Sequence, residues 1–366
     1  MGNLPEEMRS MMDWTKINSM QIDLTSYCNA RCGACTRNIN GGDAIPGLNL
    51  NHFDINIWER LFTKDLKDTQ LTNIVFNGMW GDPAMHPLLP EMITILYESH
   101  PEVIITSLAT NGGTHSPEYW ARLGTALAPF DYHRVDFAID GLADTHELYR
   151  RRVKYDRLLA NAEAFIGQGG QANWIMTVFD HNRHQLDEAE KLAGEMGFAG
   201  FRSRRSNASN IIIDDRDDKY TITTDNVTNF DYRYTGFKDN PFVEPPELNT
   251  GCPWYNQLRI QLDPWHKVWP CCHIATHVIE DQWVKIRDPE TGEKIRVKEF
   301  DMQQEVYDQV DSPDFNDLTK HDFLAIMNNE WYQNYLTEKI KNKSLLVCDR
   351  NCGILSNGEQ LTKHNV

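Results

Sequence analysis

The sequence predicts an α/β protein: an open six-unit (β/α) partial barrel of the TIM type, followed by a small α+β domain. Three observations lead to this prediction. Short apolar runs alternate with helix-like patterns over the first 206 residues, as right-handed βαβ units require. About 185 residues separate the start of the first candidate strand from the end of the last, whereas a full eight-fold barrel takes roughly 250. No cysteine lies between residues 36 and 251, so the eight cysteines divide between the two ends of the chain.

Six candidate strands are rich in Ile, Val and Phe, as buried parallel strands should be. They are predicted at Met20–Leu24, Asn73–Asn77, Val103–Ala109, Arg134–Ile139, Asn173–Phe179 and Gly200–Arg204. Apolar residues at three- and four-residue spacing predict helices around 88–97, 158–166 and 186–196. A doubly wound open sheet would show the same alternation, and the pattern alone leaves that alternative open.

The chain divides by composition into three parts. Residues 15–206 form the predicted barrel domain, and residues 207–251, rich in Asp, Thr, Asn and Pro, form a predicted irregular linker. Residues 252–366 form the predicted small domain. Its predicted elements are a strand at Leu258–Leu262, a hairpin of Trp283–Arg287 and Lys294–Lys298, and a final helix at Phe323–Ile340.

Composition restricts the class of partner. The formal charge is −17, from 36 basic and 53 acidic residues, and such a surface repels the phosphate backbone of nucleic acids. A local patch of Arg202, Arg204 and Arg205 could still bind an anion. The sequence shows neither the roughly 18 consecutive apolar residues of a membrane helix nor a secretory signal at its start. We therefore expect a cytoplasmic protein with no membrane partner.

The most informative motif follows the first predicted strand. Cys28, Cys32 and Cys35 have the spacing Cys-x3-Cys-x2-Cys, on a loop at the end of the strand where α/β proteins place their chemistry. A structural zinc site would need four ligands. Three thiolates on a four-iron cluster leave one iron without a protein ligand, which a reactive cluster needs. The alternative is three buried structural cysteines.

The segment Ser26–Cys35 resembles the cluster motif of the radical S-adenosylmethionine superfamily. The resemblance implies that the three thiolates hold a [4Fe–4S] cluster whose open iron binds the amino and carboxylate groups of S-adenosylmethionine. It also implies that an external electron donor of the flavodoxin or ferredoxin type supplies the electron for cleavage to a 5′-deoxyadenosyl radical. Many members carry an aromatic residue just before the third cysteine, where this chain has Ala34.

Later turns resemble the family segments that contact S-adenosylmethionine. Phe76–Pro83 is similar to the Gly-Gly-Glu-Pro motif that binds the methionine amine, with Trp80 and Asp82 replacing the first glycine and the glutamate. Ala109–Gly112 is similar to the Thr-Asn-Gly turn near the ribose, and Phe137–Gly141 to a Ser-x-Asp-Gly segment. The cofactor-binding residues implied are Gly81, Asp82, Thr110, Asn111, Asp140 and Arg150. For the last two, a solvated surface role is the alternative.

The C-terminal cysteines form a second group, which consists of Cys252, Cys271, Cys272, Cys348 and Cys352. Four thiolates gathered from a hairpin and a distant loop can ligate a second cluster or a zinc ion. The region resembles the SPASM/Twitch extension, with His266 in place of the usual turn glycine. The resemblance implies one auxiliary [4Fe–4S] cluster on Cys252, Cys271, Cys348 and Cys352. The sequence does not distinguish Cys271 from Cys272, and zinc remains an alternative.

The resemblance implies a radical S-adenosylmethionine enzyme that abstracts hydrogen from a substrate, and the SPASM/Twitch-like region favours a peptide or protein substrate. The first alternative is radical dehydrogenation or rearrangement of a small alcohol or sugar-like molecule. The second is a non-enzymatic iron–sulfur protein. A dehydrogenation would need a proton acceptor, and the sequence does not identify a general base.

Overall fold

The computed structural model describes residues 13–206, 208, 210–216, 218–225, 227, 232–237, 259–275, 283–287, 294–298, 310 and 312–341. Three predicted cluster ligands, Cys252, Cys348 and Cys352, lie outside the described residues.

All six predicted barrel strands are present at the predicted places. They are β1 (Ser19–Ile22), β2 (Asn73–Phe76), β3 (Ile104–Thr110), β4 (His133–Ala138), β5 (Ala172–Val178) and β6 (Gly200–Arg205). Within the described residues, seven further strands follow. They are β7 (Asn210–Asp214), β8 (Lys219–Thr223), β9 (Tyr234–Gly236), β10 (Arg259–Leu262), β11 (Val268–Trp269), β12 (Trp283–Arg287) and β13 (Lys294–Lys298).

Helices separate the barrel strands and recur near the C-terminal end of the described chain. They are α1 (Ile55–Arg60), α2 (Leu89–Ser99), α3 (Pro117–Leu127), α4 (His146–Tyr149), α5 (Tyr155–Gly167), α6 (Leu186–Glu195), α7 (Phe323–Met327) and α8 (Thr337–Lys341). The 3-10 turns are Trp14–Lys16, Pro83–Met85 and Arg183–Gln185, and the π-helical turns are Leu61–Asp65 and Trp331–Leu336. Among the described helices, none has the length and apolar character needed to cross a lipid bilayer.

Local sequence explains where these helices begin and which face they bury. The Asp54 side chain accepts hydrogen bonds from two backbone N–H groups at the start of α1, which satisfies donors that a helix end leaves unpaired. Pro117 opens α3, at the position where proline suits a helix. In α5, Leu158, Ala162 and Phe165 are buried at three- and four-residue spacing, so one apolar stripe faces the sheet.

The main sheet has nine strands in the order β11-β10-β1-β2-β3-β4-β5-β6-β9. Strands β10 and β1 to β6 run parallel, and β9 and β11 are antiparallel at the two edges. Strands β1 to β6 follow one another in sequence order without the reversal that defines a doubly wound sheet. The predicted open partial barrel is therefore confirmed, and the doubly wound alternative is wrong.

One face of this sheet is apolar and packs against the helices. The Trp58 ring of α1 lies 6.2 Å from Phe76 of β2, and the Trp120 ring of α3 lies 5.1 Å from Phe137 of β4. All four side chains are buried, so these contacts remove large aromatic surfaces from water. Successive helices also pack on one another, α2 against α3 and α3 against α5.

The opposite face, which we call the inner face, is polar. Successive strand residues point to opposite faces, and the inner face carries Ser107 of β3, Asp136 of β4 and Asn173 of β5. The Ser107 hydroxyl donates to the Asp136 carboxylate at 2.7 Å, and Arg134 pairs with the same carboxylate at 3.1 Å. Asp136 and Asn173 are partners in the register of β4 and β5. The partial barrel therefore presents charged and hydrogen-bonding groups on its inner face.

The first strands of the predicted C-terminal domain extend the barrel sheet itself. Strand β10 lies parallel to β1, with Ser19 opposite Arg259 and Ile22 opposite Leu262, and β11 turns back along β10. Without β10, the β1 edge would expose unpaired backbone groups. Composition did not reveal this pairing because the two strands lie more than 200 residues apart in the sequence.

Two further elements differ from the prediction. Strands β7 and β8 form an antiparallel hairpin within the stretch 207–251 that was predicted to be an irregular linker. The predicted helix Phe323–Ile340 is interrupted, since α7 ends at Met327 and a π-helical turn begins at Trp331. There the Asn329 side chain accepts a hydrogen bond from the Tyr332 N–H at 3.0 Å, a local bond of the kind that competes with a regular helix.

Candidate functional site

The cysteine loop follows β1 and is fixed to the loop that follows β2. The Arg37 guanidinium donates to the Ser26 carbonyl at 2.9 Å and to the Trp80 carbonyl at 2.8 Å. A Cβ atom at Gly81 would lie 2.4 Å from the carbonyl oxygens of Thr25 and Tyr27, a distance that real Cβ contacts do not reach. Glycine is therefore needed at 81 because two backbones meet there.

Three free thiols lie on this loop at Cys28, Cys32 and Cys35. Burial raises the pKa of the Cys28 thiol above its usual range. Burial also raises the pKa of the Cys32 thiol, to about 11, although the nearby Arg150 offsets part of this increase. The charges of neighbouring thiols also raise these pKa values, so the thiols lie close to one another. Burial favours the neutral thiols, and binding to a cation is what stabilises the thiolates.

The described residues contain no group of three or more His, Cys, Asp or Glu side chains arranged to hold a metal ion. A four-iron cluster uses its ligands differently, since each thiolate binds its own iron atom. Three free thiols on a single loop provide the donor set that such a cluster needs from the protein.

The carboxylate of Asp82 joins the loops after β2 and β3. Its oxygens accept hydrogen bonds from the Thr110 hydroxyl at 2.8 Å and from the Asn111 backbone and side-chain N–H groups at 2.6 Å each. Burial raises the pKa of Asp82 above its usual value, although these hydrogen bonds lower it in part. The Asn111 amide also lies 3.9 Å from the Cys28 sulfur. Asp82 therefore positions Asn111 beside the first cysteine.

A buried ion pair lies on the other side of the cysteine loop. Arg150 donates to Asp140 at 2.6 Å, and its other nitrogen lies 3.6 Å from the Cys32 sulfur. Asp140 also accepts a hydrogen bond from the Thr177 N–H at 2.5 Å. Burial would raise the pKa of Asp140, but Arg150 and the Thr177 N–H outweigh it and hold the pKa below its usual value. Asp140 therefore stays ionised and fixes Arg150 against the sulfur.

The structure thus places nine of the predicted site residues in one connected region at the carboxyl ends of β1 to β4. They are Cys28, Cys32, Cys35, Gly81, Asp82, Thr110, Asn111, Asp140 and Arg150. Asp140 is fully buried, so the alternative of a solvated surface role for this ion pair is wrong. Cys271 and Cys272, both half-buried, lie instead after β11.

Sequence reasoning missed the β7–β8 hairpin as part of this site. The Ile213 and Ile211 side chains lie so close to Gly33 that a Cβ atom there would be 2.4 Å and 2.6 Å from them. The two isoleucines also pack with Phe179 and Tyr149 in a small apolar cluster. The hairpin therefore covers the cysteine loop. The run of three Ile residues at 211–213 was the available signal, and the neighbouring aspartates obscured it.

Arg151 ties this hairpin to the cysteine loop. Its guanidinium donates to the Gly41 carbonyl at 3.1 Å and pairs with Asp215 and Asp218 at 2.8 Å each. The Arg151 and Asp215 side chains are 9% and 14% exposed, so their ion pair is better shielded than a surface pair, whereas Asp218 is 54% exposed.

A second group that the sequence did not reveal lies at the end of β1. The Asp23 carboxylate accepts a hydrogen bond from the Met79 N–H at 3.0 Å and from the Gln261 side chain at 2.6 Å. Burial, together with the nearby charge of Asp263, raises the pKa of Asp23 to about 7. An acidic residue inside a predicted buried strand was the available signal.

Comparisons with known proteins extend this description. No family model and no curated protein matches the chain. The solved structures include SuiB from Streptococcus suis bound to S-adenosylmethionine, with 13% identity, a TM-score of 0.52, and coverage of 95% of this chain and 75% of SuiB. SuiB bound to its precursor peptide SuiA matches with 13% identity, a TM-score of 0.50, and coverage of 90% and 69%. BtrN in complex with AdoMet and 2-DOIA matches with 13% identity, a TM-score of 0.42, and coverage of 94% and 96%.

The chain spans 64% of SuiB in another structure of that protein and 51% of anSMEcpe with bound AdoMet. The two SuiB complexes show that this chain has the fold of that protein. The predicted likeness to radical S-adenosylmethionine enzymes is therefore confirmed for the fold.

The substitution Asp23→Asn tests the buried carboxyl. The folded protein keeps the proton on Asp23 up to about pH 7, whereas the unfolded chain releases it at lower pH. The contribution of neutral Asp23 to the free energy of unfolding is therefore present at low pH and is lost as the pH rises toward 7. Between pH 5 and pH 7, the free energy of unfolding of the wild type should fall by about 1–2 kcal/mol relative to that of Asp23→Asn. Denaturant unfolding at several pH values measures this difference.

In Asp23→Asn, the introduced amide can donate to the side-chain carbonyl oxygen of Gln261, which has no partner among the described residues. This pairing requires the Gln261 amide group to rotate. The exposed Asp131 provides the control, and Asp131→Asn should leave the pH dependence of the wild type in place. A constant difference between wild type and Asp23→Asn across this pH range would contradict the assignment.

The substitution Arg151→Ala tests the hairpin. Amide hydrogen exchange in 210–223 should become at least about tenfold faster, because a hydrogen bond to a charged group contributes roughly 1.5–3 kcal/mol. Lys219→Ala removes only the exposed ion pair to Asp214 and should have little effect on exchange. Unchanged exchange in Arg151→Ala would show that the hairpin is held by its apolar contacts alone.

Proposed function

We propose that this chain is a radical S-adenosylmethionine enzyme that modifies a peptide or protein substrate. The observation that carries the proposal is the loop after β1, where three free thiols lie close together, with Asn111 beside Cys28 and Arg150 beside the buried Cys32. The fold that the chain shares with SuiB, which was solved with S-adenosylmethionine and with a precursor peptide, supports both parts of the proposal.

The residues present fit a [4Fe–4S] cluster. Cys28, Cys32 and Cys35 would supply three thiolates and leave the fourth iron open. With S-adenosylmethionine bound, such a cluster would supply the electron for cleavage of the sulfonium C–S bond and so the radical that abstracts hydrogen from the substrate. An external flavodoxin-like or ferredoxin-like protein is the proposed source of the electron.

The surrounding residues then have definite tasks. Arg150 places a positive charge 3.6 Å from the Cys32 sulfur, which offsets the negative charge of a bound thiolate. Asp140 holds Arg150 in that position. Asp82 and Asn111 border Cys28, and we propose that they and the adjacent Thr110 and Gly81 form the side of the site that contacts S-adenosylmethionine.

The hairpin β7–β8 excludes water from the cysteine loop on the side of Gly33, because Ile211 and Ile213 fill that space. Exclusion of water strengthens the electrostatic interactions of the buried thiolates and protects a radical from side reactions. A substrate must then approach from another direction, and the inner face of the sheet, which carries Asp136 and Asn173, is the side we propose for it.

For the C-terminal cysteines we propose one auxiliary [4Fe–4S] cluster, with Cys271 as the described ligand and Cys252, Cys348 and Cys352 as the others. Cys271 packs against the main core, and its charge acts on the buried Tyr332. Burial lowers the pKa of Arg259, and the charge of Cys272 offsets part of that effect. The two adjacent cysteines therefore act on different neighbours.

Replacement of Cys28, Cys32 and Cys35 together by Ala tests the proposed function. Anaerobically reconstituted protein should lose about four iron atoms per chain and should form no 5′-deoxyadenosine with dithionite and S-adenosylmethionine. Thr36→Ala, an exposed change on the same loop, should retain both. If the wild-type protein holds zinc there, or the triple variant still cleaves S-adenosylmethionine, the proposal is wrong.

The substrate is tested separately by incubating the reduced enzyme with candidate peptides and candidate small alcohols. Mass spectrometry should then show a mass change on a peptide. A loss of two daltons from a small alcohol, with peptides unchanged, would support the alternative of radical dehydrogenation.

The substitutions Cys271→Ala and Cys272→Ala, compared with one another, test the auxiliary site. Cys271→Ala should lose about four iron atoms per chain while 5′-deoxyadenosine is still formed, and Cys272→Ala should retain the iron. The opposite result would assign Cys272 as the ligand. Zinc in place of the second set of iron atoms in wild-type protein would exclude an auxiliary cluster.

A further inference from the structure

Strand β6 separates its three arginines between the two faces of the sheet. Gly200 lies over Asn173, since a Cβ atom there would be 2.9 Å from the Asn173 side chain, and this places Gly200 on the inner face. Arg202 and Arg204 follow at two-residue spacing and share that face. Arg205 lies on the opposite face.

Neighbouring contacts confirm this placement. The Arg204 guanidinium donates to the Thr177 hydroxyl at 3.1 Å, and the two residues are partners in the register of β5 and β6. The Phe201 ring, one residue away from Arg202, packs 6.4 Å from the Trp174 ring and is fully buried on the face that meets the helices.

These two arginines differ from the other arginines near the site. Arg134, Arg150 and Arg151 each pair with an aspartate. Arg202 and Arg204 are exposed, and within the part of the chain that the structure describes neither forms an ion pair. In a chain with a formal charge of −17, acidic partners are abundant, so two adjacent unpaired guanidinium groups on a polar inner face are a specific feature of this surface.

Arg204 also borders the cysteine site, because Thr177, to which it donates, gives its backbone N–H to Asp140. The charge of Arg204 acts on Asp140, the carboxylate that holds Arg150 beside Cys32. Ala138 of β4 is only half-buried and lies on the same register row as Ile175 and Arg202. Its side chain is small, so it leaves the inner face open on the row of Arg202.

We propose that Arg202 and Arg204 bind an anionic group of the substrate, a carboxylate or a phosphate, and hold the substrate over the inner face; this inference rests on the proposed function. Guanidinium groups recognise both anions through paired N–H donors. Residues two apart on a strand are roughly 6.6 Å apart, so the two arginines can share one anion or bind two neighbouring carboxylates of an acidic peptide segment.

The test measures binding rather than turnover, on full-length reconstituted protein saturated with S-adenosylmethionine. The probes are a peptide of Glu-Gly repeats, a Gln-Gly peptide of equal length, and inorganic phosphate and glutarate as competitors. The variants are Arg202→Gln with Arg204→Gln, and Arg205→Gln as the matched control on the opposite face of the same strand. Thermal unfolding checks that all variants are folded, which the exposure of these side chains favours.

The wild type should bind the Glu-Gly peptide about tenfold more tightly than the Gln-Gly peptide. The double variant should lose this preference, and Arg205→Gln should keep it. Competition by glutarate but not phosphate identifies a carboxylate as the preferred group, and the reverse result identifies a phosphate.

Three results would overturn the proposal: equal binding of both peptides by the wild type, an equal loss in Arg205→Gln, or a retained preference in the double variant together with weakened binding of S-adenosylmethionine. The last result would mean that the arginines hold the cofactor carboxylate. Formation of 5′-deoxyadenosine is measured in parallel, so failure of anion binding is distinguished from failure of the radical chemistry.

Discussion

The buried carboxylate of Asp82 is the interaction on which the rest of the site depends. Its backbone N–H donates to the Tyr27 carbonyl of the cysteine loop, and its side chain accepts three hydrogen bonds from Thr110 and Asn111. Loops after three successive strands are therefore fixed to one residue. A buried carboxylate without hydrogen bonds is unfavourable by several kcal/mol or more on the order of magnitude known for buried charges. Separating these loops would leave Asp82 in that state, so its hydrogen bonds hold the loops together.

The charged groups around the cysteine loop also have specific partners. Two buried carboxylates, Asp82 and Asp140, lie on either side of the loop, but they act differently. Asp140 is neutralised by Arg150, whereas Asp82 is satisfied by neutral donors. As a result, Arg150 brings a positive charge to Cys32, while Asp82 raises the pKa of Cys28. The loop thus combines buried and half-buried thiols with a fixed cation, and a bound metal cluster would supply the remaining positive charge.

The two faces of the sheet carry separate functions. The helix-covered face buries aromatic side chains such as Phe76 and Phe137 and supplies the stability of the fold. The inner face carries Asp136 with its hydrogen-bonding neighbours, and Arg202 and Arg204. This division follows from the two-residue period of each strand, and it leaves the inner face available for a polar ligand beside the cysteine loop.

The sequence by itself determined the six barrel strands and the spacing of Cys28, Cys32 and Cys35, because these depend on local periodicity and short-range motifs. Only the tertiary structure decided that Asp82 joins three loops, that β10 completes the β1 edge and that Ile213 covers Gly33. Each of these pairs residues distant in the chain, and no local pattern specifies which distant partner a buried group will meet.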